Sequence, residues 1–433
     1  MASALGSDHL CPGILHAVPA LDGLLMRVRF PGGLITAAQL EKVSQASQNF
    51  CAGAIDLTAR ANLQLRGMVE ADLPLIVQSL RQADLVPSAL HDRVRNISAS
   101  PFAGWDASEL LDVRPLVRAL DEAVMRDAKL AALPPKFCFS FHGGGERFDS
   151  ASADLALDTM ATEQGIKLHI LVGGVATGLA TAPEHATACL IQAAHACLDI
   201  AGELGLPARG HRIAAEPAAL CRLLERISSL LASCPAVEIA PVSPAPVGVV
   251  RSARKNVAHI VPSIPLGRLT ALQGLAIARI ASNYSVDLRL APWRGIVLAG
   301  VPADAVNHIV AELSIARLTC DAGDGYYGVA ACAGSQGCAS SHADVRSDAV
   351  KLAQRLMGQA PHRGQTINLS GCEKRCAMRA GATVELVAGP SGYTIKIGRE
   401  LLSTECSPES AIDLAASSLR AHGQTNNHES QLC

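Results

Sequence analysis

The chain has 433 residues, of which 49% are hydrophobic and 18% charged, with a formal net charge of −2. That length supports two or three domains with real cores, and the composition excludes an intrinsically disordered protein. The near-neutral balance supplies no global basic face, so nucleic acid is not an expected partner.

Residues 1–10 lack a basic stretch followed by an apolar one, which predicts no secretory signal. In the first third of the chain, a Pro/Gly turn at 31–33 precedes a helix from about Thr36. The segment TARANLQLR at 58–66 alternates, so it predicts a strand with Arg60, Asn62, Gln64 and Arg66 on one face and Leu63 and Leu65 in the core. Residues 135–142 (PKFCFSFH) read as a further strand running into glycines 143–145, and residues 167–172 as another. The most apolar run, 170–183, is broken by Gly173, Gly174 and Gly178. It falls short of the roughly 20 apolar residues of a membrane span and reads as a buried strand entering a turn, so no membrane partner is expected. A helix is predicted over 184–203. Cys189 and Cys197 within it, and Cys221 and Cys234 in or after the next helix, read as small core residues.

After a Pro-rich linker at 240–247, the first pattern returns at a constant offset of 234 residues. Pro31, Gly33, Thr36, Ala37, Gln39, Asn49 and Arg60 meet Pro265, Gly267, Thr270, Ala271, Gln273, Asn283 and Arg294. The chain is therefore a duplicated α+β unit. A helix over 343–357 and a hairpin over 383–397 follow, and the polar tail 423–433 reads as disordered.

Four cysteines stand out near the end: Cys332 and Cys338 in CAGSQGC, and Cys372 and Cys376 in GCEKRC. Four thiolates are what a [4Fe–4S] cube requires, one per iron corner, and the intervening glycines let backbone pass close to a bulky cluster. A zinc site is the weaker alternative, because structural zinc favours a two-residue gap within each pair. Buried bystanders are the other alternative. Fourteen cysteines without a secretion signal point to the cytoplasm.

Over residues 10–400 these motifs resemble the sulfite/nitrite reductase superfamily. The matching features are Arg27 ahead of PGG, TARANLQLRG at 58–67, VRN at 94–96, LPPKF at 133–137, and the CX₅C and CX₃C pairs. The resemblance implies a duplicated fold with two small ferredoxin-like half-modules, 15–80 and 245–312, and two larger α+β modules, 90–235 and 313–405, the last carrying the cluster. It maps Arg27, Arg95 and Lys136 to a cationic catalytic pocket, and Arg60, Asn62, Gln64 and Arg66 to tetrapyrrole binding. In that superfamily the last cysteine bridges the cluster to a sirohaem iron. Carboxylates of a uroporphyrinoid ring suit the bidentate forks of arginine.

CPG at 11–13 and DGLLMR at 22–27 are similar to an oxygen-dependent branch acting in aerobic cobalamin biosynthesis. Cys138 stands where sulfite reductases carry a second lysine. That branch implies hydroxylation of precorrin-3A at C20 by dioxygen with lactone formation, electrons coming ultimately from NADH. No GxGxxG fingerprint is present, so a separate reductase or ferredoxin is expected as donor. A mononuclear non-haem iron is implied as well; His142 is the best-placed histidine, although a hydrogen-bonded or solvent-facing role suits it better. The alternatives are a sirohaem-dependent sulfite or nitrite reductase and a non-catalytic iron–sulfur carrier.

Overall fold

The computed structural model describes residues 11–86, 88–146, 153–234, 242–252, 254–358, 365–378 and 381–429. The N-terminal segment 1–10 and the first two residues of the expected linker, 240–241, lie outside the described residues.

In the first half-module, strands β1 (Val18–Ala20), β2 (Gly23–Val28) and β3 (Leu34–Ile35) lead into helix α1 (Ala37–Phe50), followed by β4 (Ala54–Leu57), β5 (Leu63–Met68) and helix α2 (Leu73–Arg81). The larger module that follows holds β6 (Ile97–Ser98), α3 (Arg114–Arg126), β7 (Phe139–His142), β8 (Leu155–Thr162), β9 (Gly165–Val172), β10 (Val175–Thr181), α4 (Ala186–Leu204), α5 (Gly210–Ala214), α6 (Pro217–Arg226) and β11 (Ala232–Ser233). The second half-module repeats the first as β12 (Gly248–Arg251), β13 (Val257–Val261), β14 (Arg268–Thr270), α7 (Ala271–Tyr284), β15 (Asp287–Ala291), β16 (Gly295–Pro302) and α8 (Val306–Ile315). The last module contains β17 (Val329–Ala331), α9 (Val345–Leu356), β18 (Ile367–Ser370), β19 (Val384–Gly389), β20 (Gly392–Ile397), β21 (Glu400–Cys406) and α10 (Pro408–Glu429).

The duplication extends to atomic detail. Thr36 accepts from the Gln39 backbone N–H at 3.1 Å while the Gln39 side chain accepts from Thr36 N–H at 3.1 Å. Thr270 and Gln273 make the same reciprocal pair at 3.1 and 2.9 Å. Each capping box satisfies two otherwise orphaned donors at a helix start. Thr36→Ala and Thr270→Ala are each expected to lower stability by about 1 kcal/mol. A urea midpoint that does not move in either variant would show that these caps are not formed in solution.

The half-modules do not complete their sheets alone. The first sheet runs β1-β2-β5-β4-β14, and the second β12-β13-β16-β15-β3. Each takes its fifth strand from the other copy: Leu269 pairs with Ile55, and Ile35 with Leu288. One hydrophobic core spans both, from Leu40 and Ile55 to Ile277 and Leu288. The six-stranded sheet of the first larger module, β11-β10-β9-β8-β7-β6, has its own core against α3, α4 and α6, in which Cys189 and Cys197 are buried.

Several expectations are corrected. The strand expected from Thr58 begins only at Leu63; Arg60 sits in a turn closed by Thr58 N–H to Asn62 O at 2.9 Å, with Ala61 at φ 51°. The strand expected over 135–142 is shortened to Phe139–His142, because Lys136 falls in a turn closed by Phe137 N–H to Pro134 O at 2.8 Å. Cys221 is exposed and Cys234 half-buried, so neither is a core residue. The last module does not end at 405: α10 packs Ala411, Ile412, Ala415 and Ala416 into its core and continues through residues 423–429, which were expected to be disordered. Residues 430–433 lie outside the described residues. Among the described residues no helix is long and apolar enough to cross a membrane.

Candidate functional site

The four cysteines of the two motifs emerge from adjacent parallel strands. β17 pairs with β18 so that Ala331 stands beside Leu369, and Cys332 and Cys372 follow at the same end of the sheet. Cys332 N–H donates to Leu369 O at 3.2 Å, and Gly371 N–H donates to Cys332 Sγ at 3.2 Å. Parallel pairing thus converts two motifs more than thirty residues apart in sequence into neighbouring loops. Glycine is required at the crossing points. A Cβ on Gly371 would run into Ser341 Oγ, and one on Gly337 would stand 2.7 Å from Arg66 Nη2.

The half-modules hold these loops. Arg66 donates Nε and Nη2 to Asp22 at 2.8 Å each, and Nη2 also donates to Gly337 O at 2.8 Å. Arg294 donates to Ala331 O at 3.4 Å, Cys376 O at 3.1 Å and Ala377 O at 2.7 Å. Lys374 Nζ donates to Ser340 Oγ at 3.0 Å and links one loop directly to the other. Soft thiolate donors, an N–H directed at one sulfur and side-chain-free backbone fit a four-iron cluster. Three thiols elsewhere suit ligation poorly: burial pushes Cys189 and Cys197 up to about 12 and Cys320 to about 11.

A second region is cationic. β2 and β5 pair with Arg27 opposite Gln64, and Arg27 donates Nε and Nη2 to Gln64 Oε1 at 3.2 and 2.6 Å. Burial, then the neighbouring Arg60 charge, lower the Arg27 pKa to about 10. Arg60 is half-buried, and its Nε is buried with no hydrogen-bond partner. Among the described residues neither arginine has a carboxylate partner. Two adjacent half-buried guanidiniums without a counter-ion form a site that calls for an anion. Cys138 lies against Arg60; burial pushes its thiol up to about 11, so it is a neutral thiol at pH 7. Its N–H donates to Asp154 Oδ2 at 2.9 Å, and Asp154 Oδ1 accepts from Arg209 Nε at 2.8 Å.

Not all of the predicted pocket residues converge here. Arg95 donates Nε and Nη2 to Asp121 at 2.7 and 2.6 Å, because α3 carries that carboxylate into reach. This pair lines a separate cleft of about 510 Å³ together with Arg29, Thr36, Arg114 and Arg289. Asn62 is buried and structural: its Oδ1 accepts from Phe30 N–H at 2.8 Å. Arg66 is occupied by Asp22 and the Gly337 carbonyl, not presented to a pocket. Lys136 is half-buried in its turn. Arg294 was visible in sequence only as the repeat of Arg60, and its grip on the cysteine loops was missed. His142 lies within 3.1 Å of Gly145 O, and among the described residues no three His, Cys, Asp or Glu side chains are grouped to hold one metal ion. A mononuclear iron therefore has no support in the side-chain arrangement.

Comparison with known proteins bears on the fold; neither family model reaches the cysteine loops at 332–376. The family model of the nitrite/sulfite reductase ferredoxin-like half domain matches residues 18–83 and again 252–314. The model of the nitrite and sulphite reductase 4Fe-4S domain matches residues 91–203. A precorrin-3B synthase of Sinorhizobium sp is 28% identical over 409 residues, covering 89% of this chain and 82% of that protein. A ferredoxin–nitrite reductase of Synechococcus elongatus is 28% identical over 400 residues, covering 85% of this chain and 77% of that one. The structure of the Mycobacterium tuberculosis NirA protein superposes with a TM-score of 0.76 at 20% identity, over 92% of this chain and 80% of that one, which shows a shared fold.

Proposed function

From the premise that this chain belongs to the sulfite/nitrite reductase superfamily, whose two domain models together match more than half of it, we propose that it is a precorrin-3B synthase, hydroxylating precorrin-3A at C20 with dioxygen. The observation that carries the reading is the Arg27–Arg60 pair beside a neutral thiol. Two forks without a counter-ion suit the carboxylates of a tetrapyrrole. Cys138 at the position of a second lysine removes the cation that would help protonate bound sulfite. The CPG and DGLLMR segments and the precorrin-3B synthase relative of Sinorhizobium sp support the same reading.

In this reading Cys332, Cys338, Cys372 and Cys376 hold a [4Fe–4S] cluster, which when bound supplies one-electron transfer. The polypeptide does the rest. Gln64 fixes the Arg27 fork, the Thr58–Asn62 turn presents Arg60, and both bind ring carboxylates, so the macrocycle is oriented before it reacts. One oxygen atom enters the substrate and the other leaves as water, which takes two electrons and two protons. The electrons come from a separate reductase or ferredoxin.

A sirohaem-dependent nitrite reductase is the second reading, favoured by the equally similar Synechococcus elongatus relative. Cys138 does not separate the two, because nitrite reductases also lack the second lysine. The visible spectrum of anaerobically purified protein does. The expected result is broad brown absorbance without sirohaem bands, and oxygen consumption only when precorrin-3A and an electron source are both present. Strong Soret and red bands together with nitrite or sulfite reduction would hand the protein to the second reading.

A further inference from the structure

The two cysteine loops are faced by an arginine shell drawn from several modules. Arg66 lies on β5 of the first half-module; Arg268 and Arg294 belong to the second, and Arg346 to α9 of the last module. Two of them hold one buried carboxylate: Arg346 Nη2 lies 3.1 Å from Asp56, and Arg268 Nε 3.4 Å from it. Arg66 is paired with Asp22. Four guanidiniums thus face two carboxylates, which leaves the shell cationic. Arg294 makes no ion pair of its own among the described residues. The charged or ionisable groups that act on it include Asp56, Cys332, Arg346 and Cys376. Among the described residues its side-chain hydrogen bonds go to carbonyls of the two loops, one residue before Cys332, at Cys376 and one residue after it.

We propose that Arg294 is a positioning residue of the iron–sulfur cluster that staples its two loops together and raises its reduction potential, opposed by the carboxylate of Asp56. The inference rests on the cluster assignment above. A cluster with four thiolates is a net anion, and reduction adds a further negative charge. A guanidinium at the loop backbone stabilises the reduced form more than the oxidised one, whereas a nearby carboxylate does the reverse. Cys376 is exposed and the other three cysteines are half-buried, so solvent screens part of this charge and the shift is a moderate one. The repeat gives the observation a second meaning. Arg60 and Arg294 occupy equivalent turns, yet the first faces the cationic pocket and the second faces the cluster loops. One duplicated arginine has been divided between ligand binding and cluster tuning.

The test uses full-length, anaerobically purified protein carrying Arg294→Gln, Arg294→Lys or Asp56→Asn, with the midpoint potential read by EPR-monitored reductive titration and iron and sulfide assayed in the same samples. Arg294→Gln is expected to weaken reduction roughly tenfold, about 59 mV for one electron. Arg294→Lys keeps the charge and stays closer to the wild type, though it loses iron faster to a chelator because a point charge cannot hold three carbonyls as a planar fork does. Asp56→Asn moves the potential upward. A purely structural role would change iron content without moving the two potentials in opposite directions. Arg294→Gln at wild-type iron content with an unchanged or higher midpoint overturns the proposal. If that variant does not retain a cluster, Asp56→Asn decides: an unchanged or lower midpoint is equally fatal. Wild-type protein without a cluster signal would overturn the cysteine assignment instead.

Discussion

Cys376→Ser is expected to abolish the cluster and, with it, the activity. Serine is isosteric with cysteine, but its hydroxyl is hard and poorly acidic, whereas iron in a sulfide cube binds the soft thiolate. Cys376 lies on a loop held by the Arg294 fork through its own carbonyl and that of Ala377, so the backbone stays in place in the variant. The loss therefore reports on the ligand and not on a collapsed loop. The same outcome is expected at Cys332, Cys338 and Cys372. Cys189→Ser and Cys221→Ser serve as controls with opposite burial, the first in the core of α4 and the second exposed. Both should retain full iron per folded molecule, although a hydroxyl in the core at residue 189 costs stability. Iron and acid-labile sulfide analysis decides the matter; full content in the Cys376 variant would remove the central assignment.

Arg60→Ala should weaken tetrapyrrole binding roughly ten- to a hundredfold, the equivalent of losing a charge-assisted pair of about 1.5–3 kcal/mol. The turn that carries Arg60 is closed by backbone and Thr58 contacts that need no guanidinium. Removing the side chain also relieves the like-charge repulsion felt by Arg27. Melting temperature and iron content should therefore change little, while affinity falls. Arg60→Lys should recover only part of the affinity, because an ammonium lacks the bidentate fork. Binding is followed by tetrapyrrole absorbance or fluorescence. Unchanged affinity in Arg60→Ala would leave the paired arginines without a ligand and would reopen the choice of substrate.

The parts of this molecule that could be read in the sequence are those written in local signals. The Thr36–Gln39 and Thr270–Gln273 boxes sit at fixed short spacing, and the 234-residue offset aligned them directly. The CX₅C and CX₃C pairs were equally easy to single out, since each is a short local spacing, and β17 and β18 carry them to one end of a sheet. Alternation failed at Arg60, where a positive φ at Ala61 interrupts the strand, because period-two patterning does not reveal a turn inside it. It also failed to foresee the role of Arg66. The side chain lies on the expected face of β5, but Asp22 and the Gly337 carbonyl, from distant parts of the chain, claim its fork. Arg95 was misplaced for the same reason, its partner Asp121 arriving on a helix 26 residues later. Exchange of β3 and β14 left no periodic trace, since strands of two or three residues are too short to carry one.

That exchange dictates an order of events as the chain leaves the ribosome. The edge formed by β4, with Ile55 and Leu57, is covered only when residues 268–270 have been made. At translation rates of about 5–20 residues per second, the nascent first half-module waits roughly 10–40 s with that edge open. The six-stranded sheet between the copies draws every strand from within residues 97–233 and waits for nothing downstream. An open edge is where nascent chains recruit one another, so the interval is the vulnerable period of biosynthesis. The module written second in the chain is thereby the first that can be finished.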